Sequence, residues 1–581
     1  LKHSRPRVSM VLALVPGRVL ACADAQAWEL FEEDPADPDS SGPAARAAAP
    51  LAADEDEAVS ALLGLHDVLL GRIGKVVGLL RRGLARVCRR LKNVLEREPY
   101  CWQALLLTAP EYIACAIVTD ELVCGLVRGH SHQLLHVNFD GARLLGPAAT
   151  ATLAHHCPGL RSASLVGCVR VGSKAVGFLA RCCPMLTLLR VAGCPVADGA
   201  RRSDRDTTSH VSSADTAVRT IASSCPSLSS VSLSHLRSDD SIISLLSQCT
   251  CLQALDLACC QFLPCTEALL TALEVRQRSL ESLKLGDCLQ LKSLRGLDDC
   301  ASMKMLFLGG CVRLCDSGGL GDMLAGSAET LSFLSLVGCC GLSSEGLRSA
   351  FATGHNFVSL RTLVLGGCNV DKDVSAAVGA TCPSLTSLDL WNCGDGVDDE
   401  CVLEFLKHGS PLLHLNLREC SSVTGATLWA LAGLQTLDVA FVGPLDDEEL
   451  IPFLRRHTDI LTCLNCGGPN CNISSTSLEY LPHSLTSLDL AECIQIQDFG
   501  HLSQLKELTY LSLERCNVAT YHLLDICCEC PLSSLNVRGR HDHRRARSAN
   551  ERAKSWIFDR GRLWKVMCSV NICPRLDMLV A

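Results

Sequence analysis

The chain of 581 residues has no excess of basic side chains: 53 Lys and Arg stand against 62 Asp and Glu, a net charge of −9. That balance gives no whole-molecule attraction for a polyanion, so no nucleic-acid partner is expected. No uncharged apolar run reaches the roughly 18 residues that a membrane-spanning helix requires, so no membrane partner is expected either. Gly-x-Ser-x-Gly, Gly-x(4)-Gly-Lys-(Ser/Thr) and His-Glu-x-x-His are all absent, which removes the common hydrolase, P-loop and zinc-protease signatures; the expectation is a protein that is not an enzyme. Aromatic residues make up only 4% of the chain, yet 48% of it is hydrophobic. A mean hydropathy of +0.23 with abundant Leu excludes a mostly disordered chain.

What the chain does have is leucine at a fixed spacing. The pattern Leu-x-x-Leu-x-Leu-x-x-(Asn/Cys) appears as LRSASLVGC from Leu160, LTLLRVAGC from Leu186, LQALDLACC from Leu252 and LESLKLGDC from Leu280. It recurs from Leu331, Leu360, Leu385, Leu412, Leu485 and Leu508, with weaker copies from Leu134, Leu228, Met303, Leu434, Leu461 and Leu532. Successive starts lie 22 to 29 residues apart, except for 42 between Leu186 and Leu228. This is the leucine-rich-repeat period, and it predicts an α/β solenoid, a horseshoe of about 16 or more repeats. In each unit the first, fourth and sixth positions face the core, and the third, fifth and seventh face outward on the concave side of the strand. The ninth position is expected to turn the chain. The long interval holds DGARRSDRDTTSHVSSADT, Asp198 to Thr216, read as a polar loop projecting from the solenoid.

The 37 cysteines are an odd number, so complete pairing would leave one thiol over. Eleven of them fill the ninth repeat position: Cys168, Cys194, Cys260, Cys288, Cys311, Cys339, Cys368, Cys393, Cys420, Cys493 and Cys516. Six more precede a strand by three residues: Cys157, Cys183, Cys225, Cys249, Cys300 and Cys382. A residue repeated once per coil is spread along the solenoid rather than gathered into a tetrahedral set, so these are read as reduced core thiols and place the protein in cytoplasm or nucleus. Cys463-x-x-Cys466 with Cys471, and Cys527, Cys528 and Cys530, have a superficial look of metal ligands, but the repeat register accounts for Cys466 and Cys530, and no metal is expected.

The alternation of these two cysteine registers over residues 108–540 closely resembles the cysteine-containing leucine-rich repeats of F-box/leucine-rich-repeat proteins. The segment in front resembles a divergent F-box. LHDVLLGRI (Leu65 to Ile73) corresponds to the opening Leu-Pro-x-x-Leu-Leu-x-x-Ile, RGLARVCRRLK (Arg82 to Lys92) to the middle motif, and EREPYCW (Glu96 to Trp102) to the closing Asp-Pro-x-Leu-Trp. His66 replaces the usual Pro, Gly74 the aromatic that often follows the Ile, and Leu91 the usual aromatic. The resemblance implies docking on Skp1, and through it on the Skp1-cullin complex, by Leu65, Leu69, Leu70, Ile73, Val87 and Leu91. The other reading of the same stretch is an amphipathic cap over the first repeat, because solenoid ends need covering.

The chain thus divides into four segments: an acidic, Ala-rich disordered leader over 1–59, an F-box-like helical domain over 60–107, the repeats over 108–540, and a basic tail with a C-terminal cap over 541–581. The leader's Val8 to Val15 and Ala21-Cys22-Ala23 faintly suggest a secretory signal, which Pro16-Gly17-Arg18 interrupts. The chain starts with Leu1 rather than Met, and CPRLDML from Cys573 restarts the repeat pattern, so both ends are expected to be incomplete. RGRHDHRRARS from Arg538 reads as a nuclear localisation signal or a solvated end.

On the concave face the second half is acidic at the fifth position and carries an aromatic and charged neighbours, the composition of a recognition hot spot. The expected substrate-binding set is Phe307, Asp389, Trp391, His414, Arg418, Asp438, Asp489 and Tyr510, with Trp391 as the first choice of anchor. A strand Trp that merely covers its neighbour is the competing view. Some plant members of the family hold a hormone above an inositol phosphate inside a dense ring of Lys and Arg; only Arg190, Lys284, Arg418 and Arg538 point that way here, so no cofactor is expected. The resemblance implies the substrate-recognition subunit of an SCF-type ubiquitin ligase, with a protein substrate that the sequence does not identify. The alternatives are a solenoid scaffold outside any ligase and an extracellular recognition protein with oxidised cysteines.

Overall fold

The computed structural model describes residues 11–15, 18–22, 104–108, 118–130, 134–194 and 213–537, apart from the single positions 235, 237, 238, 277, 353 and 410. The F-box-like stretch 60–103, the loop of the long interval and the chain from Arg538 onward lie outside these residues. The chain divides into two units, Leu1–Leu280 and Glu281–Ala581.

Each unit is built from coils of one short strand, a tight turn and a return segment, most often a helix. In the first, Ala104–Thr108 pairs in parallel with His136–Asn138, and parallel pairing continues through Ser162–Ser164, Leu188–Arg190, Ser230–Ser232 and Ala254–Asp256. In the second, pairing is parallel from Ser282–Lys284 to Ser534–Asn536, eleven strands among the described residues. Helices such as Ser344–Phe351, Lys372–Thr381 and Asp447–Arg456 carry the chain back. An open parallel sheet with helical returns is the leucine-rich-repeat solenoid.

The register is set by leucine. Leu363, Leu388, Leu415, Leu437, Leu464, Leu488, Leu511 and Leu535 are aligned across successive strands. The first, fourth and sixth positions are buried from the Leu134 repeat to the Leu508 repeat, as Leu331, Leu334 and Leu336 illustrate, each 0% exposed. Removing one such side chain from water contributes roughly 1.5–3 kcal/mol, and a one-residue slip would turn the whole set toward solvent.

The ninth-position cysteine sits under the preceding coil and donates to its sixth-position carbonyl. Cys194 reaches Leu165 O at 3.1 Å, Cys311 reaches Leu285 O at 3.1 Å, Cys420 reaches Leu390 O at 3.0 Å and Cys516 reaches Leu490 O at 2.9 Å. The second register forms its own ladder, Cys183 to Cys157 O at 3.3 Å and Cys249 to Cys225 O at 3.5 Å. Burial pushes Cys339, Cys368 and Cys516 up to about 12. A thiol held protonated is a poor nucleophile and a poor ligand.

The turn itself differs from expectation. Its left-handed residue is the eighth, not the ninth: Gly338 (φ 65°), Asn392 (55°), Glu419 (62°), Phe441 (57°) and Arg515 (58°) occupy equivalent places. The ninth side chain is the plug beneath the turn rather than its hinge.

On the convex side, an aspartate in the first turn of one helix ties it to the start of the next coil's return segment. Asp399 accepts from Thr424 N at 2.9 Å and Thr424 Oγ1 at 2.7 Å, and Asp447 accepts from Ser474 N at 2.9 Å and Ser477 Oγ at 2.5 Å.

Ala104–Thr108 is already a strand of the sheet, so residue 107 falls inside the first described coil. In the segment read as a disordered leader, Val11–Val15 pairs antiparallel with Arg18–Cys22 and lies parallel to Ala104–Thr108, covering an otherwise open sheet edge.

Candidate functional site: the acidic concave groove

Within the unit Glu281–Ala581, five successive strands and the start of a sixth line an open cavity of about 400 Å³. Its walls are third- and fifth-position side chains: Ser387, His414, Thr436, Cys463, Ser487 and Tyr510 from the third, Asp389, Asn416, Asp438, Asn465 and Asp489 from the fifth. These are the positions that the repeat pattern sends outward, and the pleat of three-residue strands places them in two rows.

The fifth-position row alternates acid and amide. Each side chain first caps its own turn: Asp389 Oδ1 accepts from Trp391 N at 3.0 Å, Asn416 Oδ1 from Arg418 N at 3.0 Å, Asp438 Oδ1 from Ala440 N at 3.0 Å, and Asp489 Oδ1 from Ala491 N at 2.9 Å. The amides then brace the acids. Asn416 Nδ2 donates to Asp389 Oδ2 at 3.1 Å, and Asn465 Nδ2 donates to Asp438 Oδ2 at 2.8 Å. Asp and Asn side chains are short enough to reach the turn amide and still retain a second polar atom for the next coil.

Burial raises the carboxyls of Asp438 and Asp489 above the ordinary aspartate value, against the lowering effects of their hydrogen bonds and of Arg418. Burial likewise raises the Tyr510 hydroxyl, and the Asp489 charge adds to it. The groove is therefore a place where a negative charge is held at a desolvation cost, which a cation entering it would offset.

The expected binding residues separate into three groups. Asp389, His414, Asp438, Asp489 and Tyr510 are brought together in the groove, where His414 Nδ1 is 2.9 Å from Thr436 Oγ1. Arg418 stands at the seventh position, its guanidinium 5.0 Å from the Phe441 ring centroid and its Nε 3.2 Å from Glu419. Trp391 and Phe307 are elsewhere. The Trp391 indole lies on Gly366 of the preceding coil, so close that a Cβ there would stand 2.2 Å from its Nε1. Phe307 stacks on Phe333 at 4.3 Å, with Lys284 Nζ 4.5 Å from its ring, three strands before the groove. The implied Skp1-binding residues Leu65, Leu69, Leu70, Ile73, Val87 and Leu91 lie outside the described residues.

Asn416, Asn465, Thr436, Ser387, Ser487 and Cys463 line the groove in addition to the expected set. The signal for them is the repeat register itself, applied to polar as well as large residues. Cys463 faces the groove while Cys466 is buried, so the Cys-x-x-Cys spacing does not converge on one point. Among the described residues no group of three or more His, Cys, Asp or Glu side chains has an arrangement that holds a metal ion. No described helix is long and apolar enough to cross a membrane.

No family model matches the chain. Two solved structures are similar to it at low identity. One is the Rad7 and Elc1 complex of yeast, at 15% identity over 80% of this chain and 89% of that one, with a TM-score of 0.39. The other is a leucine-rich-repeat protein of Leptospira interrogans, at 15% identity over 66% of this chain and 91% of that one, with a TM-score of 0.37.

Proposed function

We propose that the protein is the substrate-recognition subunit of an SCF-type ubiquitin ligase, holding Skp1 through residues 61–107 and a protein substrate on the concave face of the repeats. The carrying observation is sequential: three F-box sub-motifs, from Leu65, Arg82 and Glu96, stand in the family's order immediately ahead of the strand Ala104–Thr108, which opens the run of parallel repeat strands. The protein supplies no catalytic group in this reading. Its contribution is proximity, because tethering a substrate beside the charged ubiquitin carrier replaces a bimolecular encounter with an effective concentration set by the scaffold. The protonated, buried thiols are compatible with the reducing cytoplasm or nucleus in which such ligases work.

The test is a pull-down of the full chain with Skp1, beside a Leu69→Asp, Leu70→Asp variant. Capture by the native chain and its loss in the variant is the expected result, since two carboxylates in an apolar interface leave buried charge unpaired. If the native chain captures no Skp1, residues 61–107 are a cap and the protein is a repeat scaffold outside the ligase.

A further inference from the structure

One coil breaks the cysteine ladder. In the repeat from Leu461 the ninth residue is Pro469, and the plug comes two residues later: Cys471 N donates to Gly468 O at 3.1 Å, the bond that Cys420 N makes to Leu417 O at 3.1 Å in a regular coil. The sixth position of the same coil, Val439 and Leu490 in its two neighbours, is Cys466. The next plug, Cys493, therefore meets a cysteine where Cys420 and Cys516 meet a leucine. Its Sγ stands 3.8 Å from Cys466 O, against 3.0 and 2.9 Å to the leucine carbonyls of the other two. Three thiols converge here: the side chain of Cys466 is hydrogen-bonded to those of Cys471 and Cys493, and Cys471 is bonded to Cys493.

The three are not equivalent. Cys471 is 5% exposed, against 1% for Cys466 and 0% for Cys493, and the exposed Pro469 and Asn470 stand beside it. Cys466 and Cys471 line one small cleft together with Phe441, Gly467, Gly468 and Asn470, and Cys493 is not part of that lining. The chain between the two is a turn whose Gly468 takes φ 149°, a conformation open to glycine, so the turn has room to adjust. Donation from Cys466, and then from Cys493, holds the Cys471 thiol below the ordinary thiol value against the opposing effect of burial. Cys466 is pushed up, first by its bond to Cys471. An accessible thiol with thiolate character beside a second thiol is the arrangement of an oxidisable pair.

We propose that Cys471 and Cys466 are a peroxide-responsive pair that closes to a disulfide. The Cys471 thiolate attacks hydrogen peroxide: an S–O bond forms, the O–O bond breaks, and the departing hydroxide takes up the proton that Cys471 released. The Cys466 sulfur then attacks the sulfenic sulfur of Cys471. The S–S bond forms, the S–O bond breaks, and the oxygen leaves as water with the Cys466 proton. Two electrons pass from the two sulfurs to peroxide, and the products are one disulfide and two waters. In a reducing compartment such a bond is transient, a sensor and not a staple. It lies next to the groove: Asn465 precedes Cys466, its Oδ1 accepts from Gly467 N at 3.3 Å, and its Nδ2 braces Asp438 at 2.8 Å. Oxidation therefore acts on the turn that carries part of the acidic row. None of this depends on Skp1 binding.

The test treats the folded full chain with hydrogen peroxide and blocks the remaining thiols with N-ethylmaleimide under denaturation. Disulfides are then reduced and labelled with the deuterated reagent. Cleavage after Glu479 and Glu492 separates Cys463, Cys466 and Cys471 from Cys493, and tandem mass spectrometry reads each site. The heavy label is expected at Cys466 and Cys471 in equal amounts, at least about tenfold faster than at Cys339 or Cys420, whose thiols burial holds protonated. Heavy label at neither residue, at Cys493 in place of one of them, or at Cys339 and Cys420 at the same rate overturns the proposal. Two variants of the full chain extend it. Cys466→Val places at the sixth position the residue that Val439 supplies in the preceding coil; with dimedone present during oxidation, its Cys471 is expected to carry the sulfenic-acid adduct, and an unmodified Cys471 overturns the first step. Cys471→Ser is expected to leave Cys466 with the light label, and heavy label persisting there overturns the pairing.

Discussion

His457 is the polar group this fold buries least comfortably. It is 0% exposed, its ring is stacked on Phe453 at 4.1 Å, and its Nδ1 lies 2.8 Å from the Phe453 carbonyl, which fixes Nδ1 as the donor. Nε2 is then an acceptor, with no partner among the described residues. Burial lowers the imidazole's affinity for a proton, Arg456 adds to the effect, and the Phe453 carbonyl opposes it. The folded value lies below the unfolded one of about 6.5, so below that pH the unfolded chain takes up a proton that the folded chain refuses, and stability falls as pH drops. The expected outcome is a loss of about 1 kcal/mol between pH 7.5 and 5.5 that is absent in His457→Leu. Denaturant midpoints of the two proteins across that range measure it, and parallel profiles would assign the pH dependence to other groups. The same scale shows why Trp391 sits apart from the groove. Trp391 and Gly366 hold the same seventh position in adjacent coils, and the indole folds onto the space that Gly366 leaves empty. A sequence read one repeat at a time shows an outward Trp; only the pair shows where the ring goes.

At the scale of the element, the strands and the core are legible because a leucine period repeated through the chain leaves one register that buries the first, fourth and sixth residues of successive coils. The turn is less legible. Gly, Asn, Glu, Phe and Arg all take the left-handed eighth position, so no residue type marks it, and the conspicuous ninth cysteine draws the assignment one place too far. In LDDEELIPFL from Leu445 the acidic residues read only as charges that favour the start of their own helix. Asp447 does more than favour its own helix: it joins Ser474 and Ser477 of the next coil. Burial pushes its carboxyl up, but the bonds from Ser474 and Ser477 outweigh that and hold it below the ordinary value. Asp447→Ala leaves the Ser477 hydroxyl, 1% exposed, without its acceptor and is expected to cost roughly 1–3 kcal/mol at neutral pH. Because the folded value is the lower one, this contribution is complete above about pH 4 and fades as pH falls through the folded value. A native-minus-variant stability difference that persists undiminished at pH 2 would assign the loss to packing instead of to the carboxylate.

Across the whole molecule, the repeats are readable from the sequence and the division of labour between them is not. Nothing in LTSLDLWNC or LTSLDLAEC, taken singly, says that their aspartates stand in one row with that of a third coil midway between them; that comes from stacking. Stacking also governs stability, since each coil touches chiefly its neighbours and the array behaves as a chain of nearest-neighbour contacts. The buried cysteines give many of the coils a reporter: Cys339, Cys368, Cys420 and Cys516 are sealed in the folded state, whereas Cys315 and Cys340 are exposed and alkylate without unfolding. Leu388→Ala removes a side chain that is 2% exposed from the coil of Cys393 and is expected to cost about 2–5 kcal/mol. With nearest-neighbour coupling, pulsed alkylation across a denaturant series, read by mass spectrometry, should show Cys368, Cys393 and Cys420 opening at distinctly lower denaturant in the variant. Cys288 and Cys516, four and five coils away, should move much less. A shift of the same size at all five thiols would mean that the unit Glu281–Ala581 unfolds as one cooperative body, in which case a partner seated on the groove would stabilise its farthest coil as much as the strands it touches.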